Sequence, residues 1–213
     1  MHVKSFVFNP FYENTYLIWD DTGEALVVDP GCYEKYEQEE LQQGIEELGL
    51  NIVGVINTHC HIDHVLGNYF AKTTYKCPLW VPRNEVDNYR GVEVYAPQWG
   101  IQRFTWVEAD QLIDFEGKMT FGHTELEIIY VPGHSPGHVV FYHAPEQKLI
   151  GGDVLFRESI GRTDLPGGNH EELLKNIKEK LYTLPGETEV FPGHGPTTTI
   201  GYEKTHNPFV RAS

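Results

Sequence analysis

The sequence predicts a mixed α/β fold, on three observations. Short β-rich runs alternate with helical ones along the chain. Histidine and aspartate recur at the ends of those runs beside glycine or proline, where a rigid sheet carries functional loops. No linker, low-complexity tract or tandem repeat interrupts the 213 residues, so one domain over 1–213 is the simplest organisation.

In chain order, Val3–Phe8 and Asn14–Trp19 read as strands joined by the turn NPFYE. Ala25–Asp29 is a buried strand that stops at Asp29-Pro30-Gly31. Tyr33–Leu48 is helical, with Leu41, Ile45 and Leu48 at i, i+4, i+7 and Gly49 as the stop. Asn51–Thr58 is a further buried strand, and a helix follows from His64 to about Tyr75. Pro78 and Pro82 bracket a short strand, LWV. Arg83–Trp106 shows the least periodicity and carries Tyr89, Tyr95, Trp99, Phe104 and Trp106. Strands are expected at Leu112–Phe115, Thr124–Val131, His138–His143, Lys148–Gly151 and Glu189–Phe191. A helix over Glu171–Leu184 places Leu173, Leu174, Ile177 and Leu181 on one face.

Composition narrows the function classes. Apolar residues at 40% and charged residues at 22% suit a globular chain and not a disordered one. A net charge of −15 argues against a nucleic-acid partner, whose phosphates need a basic face. No apolar run is long enough to span a bilayer, so no membrane partner is expected. The N-terminal MHVKSFVFNPFYENTY lacks the apolar core of a signal peptide. Cys32, Cys60 and Cys77 are odd in number and form no CxxC pair, which speaks for reduced thiols and a cytoplasmic location.

The chemistry lies in the donors. THCHIDH puts His59, His61, Asp63 and His64 within six positions at a strand end. VPGHSPGH adds His134 and His138, IGGDVLF adds Asp153, and FPGHGP adds His194. In extended backbone His59 and His61 share one side and Cys60 faces the other. Asp63 and His64 fall where the chain turns into a helix and face a different direction, which suits two adjacent metal positions better than one. Without a cation, four such groups repel one another or are wasted; imidazole with carboxylate is the donor set of zinc and iron. His2, His123, His143, His170 and His206 read as ordinary histidines.

HxHxDH, then PGHSPGH, a GGD at a strand end and a late PGH together resemble the metallo-β-lactamase superfamily, over nearly the whole chain. The resemblance implies an αββα sandwich, two mixed sheets flanked by helices, with a dinuclear site at one edge. It assigns His59, His61 and His134 to one ion, Asp63, His64 and His194 to the other, and Asp153 as the bridge. Asp63 and Asp153 are then the catalytic carboxylates. Asp29, in VVDPG, matches the family's acidic strand end and would orient a ligand histidine, although a simple turn aspartate before Pro30 is an equal reading. Two divalent ions are implied, zinc first, with iron or manganese as alternatives.

Within the superfamily, ENTYLI, GDVLFRESIGRTDLPGG and HNPFVR resemble short proteins of the glyoxalase II (hydroxyacylglutathione hydrolase) type. That type hydrolyses a small-molecule thioester, S-lactoylglutathione. Two ions about 3.5–4 Å apart hold a bridging water and lower its pKa towards roughly 7. The hydroxide attacks the carbonyl, and the thiolate, whose acid pKa is about 8.5, departs without a strong general acid. Full-length glyoxalase II enzymes bind glutathione through a C-terminal helical extension, whereas this chain ends at Ser213. Substrate contacts are therefore expected from Arg157, Arg162 or the aromatic Arg83–Trp106 segment, with a pairing of Arg162 to Asp164 as the plainer alternative. Three other readings stay open. One is a mononuclear-iron persulfide dioxygenase using His59, His134 and Asp153, another is a lactone or phosphoester hydrolase, and the third is a binding protein descended from an enzyme.

Overall fold

Strands β1 (His2–Phe8) and β2 (Glu13–Trp19) pair antiparallel from His2 opposite Trp19 to Phe8 opposite Glu13. Asn9 and Tyr12, both at positive φ, turn the chain between them. β3 (Glu24–Val28) returns antiparallel to β2, and α1 (Lys35–Leu48) then carries the chain to β4 (Asn51–Ile56), parallel to β3. The buried Glu37 fixes the start of α1, accepting from the Tyr33 and Glu34 amides at 2.8 Å each. Gly49, left-handed at φ 64°, ends it. Leu41 and Ile45 are buried as their spacing predicts, but Leu48 is 41% exposed. Gly44 takes the third inward position, because a side chain there would meet the Phe6 ring.

The expected helix from His64 to Tyr75 is two helices, α2 (Ile62–Val65) and α3 (Asn68–Tyr75), divided at Leu66–Gly67. Gly67 leaves no room for a side chain beside Pro30 and Cys32, and its amide donates to the Pro30 carbonyl at 2.7 Å. β5 (Leu79–Pro82) and β6 (Gln111–Ile113) extend the sheet in parallel. Between them the supposedly aperiodic stretch contains α4 (Val86–Tyr95), preceded by a 3-10 turn at Arg83–Glu85. Four of its five aromatics serve the core: Tyr89 is buried, and Tyr95, Phe104 and Trp106 pack on the cluster around Leu41, Val55 and Leu79. Trp99, by contrast, is 49% exposed and meets the Phe11 ring edge-on at 6.2 Å.

A second six-stranded sheet comprises β7 (Glu116–Phe121), β8 (Thr124–Tyr130), β9 (Val139–His143), β10 (Lys148–Gly152), β13 (Glu189–Pro192) and β14 (Thr198–Thr199). Its order is β14-β13-β10-β9-β8-β7, with β10 and β13 parallel and β9 antiparallel to β10. The two-residue strands β11 (Leu155–Phe156) and β12 (Ser159–Ile160) form a small hairpin. Helix α5 (His170–Asn176) is capped by Asn169, whose side-chain oxygen accepts from the Glu172 amide, and it continues as a π-helical turn over Ile177–Leu181. Leu173, Ile177 and Leu181 are fully buried there with Leu149 and Val190, each such side chain contributing about 1.5–3 kcal/mol. Helix α6 (Ile200–His206) closes the order of elements.

The structure, a computed structural model, describes residues 1–211. The chain divides into two compact units, Met1–Ile113 with Thr120–Thr124, and Asp114–Met119 with Glu125 onward. Among the described residues no helix is long and apolar enough to cross a membrane, and the three cysteines are buried free thiols.

Candidate metal centre

In the first unit, parallel strands β3 and β4 end side by side, which brings Asp29 next to Thr58 and the residues after it. The Asp29 carboxylate accepts from the Thr58 amide at 2.7 Å and from the Thr58 hydroxyl at 2.6 Å. Its Oδ2 also accepts from His64 Nδ1 at 3.1 Å. With its proton given to Asp29, the Thr58 hydroxyl accepts from His59 Nδ1 at 3.0 Å. One buried carboxylate thus fixes the Nδ1–H tautomer of His64 directly and of His59 through Thr58, so each ring presents Nε2 as its lone-pair nitrogen. Asp29 holds a left-handed φ of 48°, a conformation that aspartate tolerates better than most residues.

The other donors of THCHIDH gather around these two rings. His59 lies 4.2 Å from His64 and 4.8 Å from His61, ring centre to ring centre. Cys60, in the loop beyond the end of β4 at Ile56, is buried in the core cluster. Asp63 and His64 sit on α2, with Asp63 Oδ2 3.7 Å from His64 Nε2.

Buried amides hold the backbone of this loop. Asn57 donates to the His64 carbonyl at 2.9 Å, and Asn9 donates to the Asp63 carbonyl at 3.0 Å and the Gly31 carbonyl at 3.1 Å. Gly31 is obligatory there, because a Cβ would run into Glu13, Asn9 and the Asp63 carbonyl. Glu13 is fully buried 3.9 Å from His64 Nδ1. Burial, and then the nearby Asp29 and Asp63, push its carboxyl well above the ordinary range against an opposing pull from His64.

In the second unit, β10 and β13 also end together, placing Asp153 and His194 side by side; the Gly193 amide donates to the Gly152 carbonyl at 2.8 Å. Asp153 Oδ2 is 3.6 Å from His134 Nε2 and 3.5 Å from His194 Nε2. His134 donates Nδ1–H to the Arg162 carbonyl at 2.7 Å, so its Nε2 faces Asp153. Gly161 permits that approach, since a Cβ on it would overlap the Asp153 carbonyl and stand 3.0 Å from His134 Nδ1. His138 has a different duty from the other histidines, accepting the Asp153 amide on Nε2 at 3.0 Å.

The donor set fits metal ions. Ligands bound at about 2.0–2.2 Å with tetrahedral angles stand roughly 3.3–3.6 Å from one another. The Asp153 oxygen meets that spacing to both of its histidines, and His64 with Asp63 comes within about 0.1 Å of it.

The expected substrate residues are exposed in the second unit. The Arg162 guanidinium makes a two-pronged pair with Asp164 at 2.7 and 2.8 Å. The Arg157 guanidinium lies 4.7 Å from the Tyr202 ring centre. The neighbouring Phe156 meets the His194 ring edge-on at 6.2 Å. Sequence reasoning missed Asn9, Glu13, Asn57, Thr58 and Glu85; Glu13 opens ENTYLI, which was singled out as a motif but not as a site.

Comparison with known proteins gives the same grouping of strand-end donors a family. The model of the metallo-beta-lactamase superfamily matches residues 8–194. A hydroxyacylglutathione hydrolase, GloC, of Haemophilus influenzae is 36% identical over 100% of this chain and 99% of its own. A probable metallo-hydrolase, YqgX, of Bacillus subtilis is 37% identical over 94% of this chain and 93% of its own. Among solved structures, BLEG-1 B3 metallo-beta-lactamase superposes with a TM-score of 0.88 at 34% identity, covering 99% of this chain and 100% of that one. TTHA1623 in a di-iron-bound form gives 0.86 at 35% identity, covering 97% and 100%.

Proposed function

The chain belongs to the metallo-β-lactamase superfamily and has its α/β fold, and from that premise we propose that it is a dinuclear metallo-hydrolase acting on thioesters of the hydroxyacylglutathione kind. In this reading residues 1–213 form one domain. His59, His61 and His134 would hold one ion, Asp63, His64 and His194 the other, and Asp153 would be shared between them. The observation that carries the reading is Asp153 Oδ2, set at metal-ligand spacing from both His134 and His194. Support also comes from the family match, which runs through both units, and from the hydroxyacylglutathione hydrolase name of a 36% identical relative.

When bound, two divalent ions would supply a water of lowered pKa and a positive charge for the carbonyl oxygen. The chain's own groups do the rest. Asp29, Thr58 and the Arg162 carbonyl keep three histidines in the tautomer that offers Nε2. Asp63 and Asp153 hold negative charge beside the reacting water. The thiolate leaves unaided, since its conjugate acid has a pKa of about 8.5. Zinc is the first choice by donor chemistry, and the di-iron form of a 35% identical protein supports iron as the alternative. Arg157 is the substrate cation we favour over Arg162, because Arg162 is already paired with Asp164. The acidic charge supports a small-molecule substrate over nucleic acid, and the three free cysteines support a reducing, cytoplasmic location.

The test is turnover of S-lactoylglutathione by protein whose metal content has been counted. Rapid thioester loss with two ions per chain is the expected result, with KM raised by Arg157→Ala. Fully loaded protein that spares the thioester but opens a β-lactam, or consumes oxygen with glutathione persulfide, would replace this reading with the other activity.

A further inference from the structure

Glu85 is a charged residue with no solvent exposure, at the end of the 3-10 turn that leads into α4. Its side chain crosses to the metal-binding loop, where Oε2 accepts from the Cys60 amide at 3.0 Å and from the Asn88 side chain at 3.1 Å. Cys60 stands between His59 and His61. Its thiol side is buried in the core, and its amide is held by Glu85. The peptide that joins the two histidines is therefore gripped from both directions. His59 and His61 flank Cys60 with their ring centres 4.8 Å apart, so a displacement of the Cys60 backbone moves both imidazoles. Asn9 and Asn57 anchor the far end of the loop through the Asp63 and His64 carbonyls, and Glu85 anchors the near end.

We propose that Glu85 is a positioning residue that sets the relative geometry of the His59 and His61 nitrogens. The proposal rests on the reading of THCHIDH as a metal-binding loop. It acts through hydrogen-bond placement and not through charge, and this separates two conservative variants. Glu85→Gln keeps the side-chain length and one carbonyl oxygen to accept from Cys60. Glu85→Asp keeps the charge but withdraws it by one methylene.

Zinc affinity, measured by competition with a chromophoric chelator, and the visible spectrum of the cobalt-loaded protein provide readouts independent of turnover. Glu85→Gln should bind within about threefold of the parent and leave the cobalt bands in place. Glu85→Asp should bind about 10–100-fold more weakly with shifted bands, the usual cost of losing a group that holds a metal ligand in place. The reverse order would make the effect one of charge and overturn the proposal. Equal binding by both variants, or a fall in melting temperature with affinity and spectrum unmoved, would overturn it too. If Glu85→Asp does not fold, Asn88→Leu removes the donor that orients the Glu85 carboxylate without adding charge and should produce the same spectral change; an unchanged spectrum again overturns the proposal. A parent protein that binds no zinc, iron or cobalt would instead sink the metal-centre reading itself.

Discussion

Asp29 Oδ2 accepts from His64 Nδ1 at 3.1 Å and, through the Thr58 hydroxyl, also governs His59, which stands five residues earlier on the same loop. A single carboxylate at the end of β3 therefore orients one histidine from each of the two assigned metal positions. Asp29→Asn replaces an acceptor oxygen by an amino group that must face a donor, from either Thr58 or His64. Zinc affinity should fall by about 10–100-fold, for both ions and not one. Stepwise titration against a chelator checks this. Loss confined to one ion would mean that the Thr58 link does not control His59.

Asp153 offers a sharper outcome. Its Oδ2 stands between His134 and His194, and its amide is tied to His138. Asp153→Ala removes the carboxylate but leaves the backbone bond, so the fold should survive. Metal content should drop below two per chain. Thioester hydrolysis should fall by roughly 10²–10³-fold, the equivalent of several kcal/mol of charge stabilisation. Elemental analysis and initial rates on the same preparation test both. Retention of activity and of both ions would refute the bridging assignment.

The donors were legible because each lies in a short contiguous motif at a strand end, where glycine and proline mark the turn. Their supports were not: Asn9, Glu13 and Glu85 are isolated polar residues brought in from other elements, and Asn57 and Thr58, although next to His59 in sequence, carry no metal-donor type to mark them. Glu13 and Glu85 look like surface carboxylates by type and are fully buried. Helix α4 was hidden for a related reason. Tyr89, Val92 and Ala96 are buried at i, i+3, i+7, but Asp87 and Asn88 before them and Gly91 among them blur the helical signal. Strand β7 carries only Met119 and Phe121 as buried apolar residues, too few for alternation to stand out. Leu48 erred in the other direction, fitting the helical period yet lying in the last turn, past the end of the packed face.

Two glycines should respond to alanine in opposite ways. A Cβ at Gly161 would overlap the Asp153 carbonyl and press on His134 Nδ1, both backbone-anchored. Gly161→Ala should cost about 1–3 kcal/mol by overpacking, and it should also weaken metal binding at His134. Gly91 lies inside α4, where a Cβ would come no nearer than 3.9 Å to the Tyr95 ring. Gly91→Ala should stabilise by about 0.5–1 kcal/mol through helix propensity alone. Chemical denaturation of the two variants gives both signs at once. A destabilised Gly91→Ala, or a neutral Gly161→Ala, would contradict the packing described for that residue.

His143 provides a pH signature outside the metal site. It is buried at the end of β9, and burial holds its imidazole below the ordinary histidine value. The folded chain therefore binds fewer protons than the unfolded chain between the depressed value and about 6.5, and stability there rises with pH. The contribution is fully present above the unfolded value and is lost as pH falls through it towards the folded one. His143→Gln stays neutral throughout and lacks this dependence. In metal-free protein every contribution common to parent and variant cancels in the difference. The parent's melting temperature relative to the variant should therefore be most favourable at about pH 7.5 and should decline as pH falls through about 6.5. A difference that is flat across that range, or that grows on acidification, would mean that His143 takes up its proton in the folded state as readily as in the unfolded one.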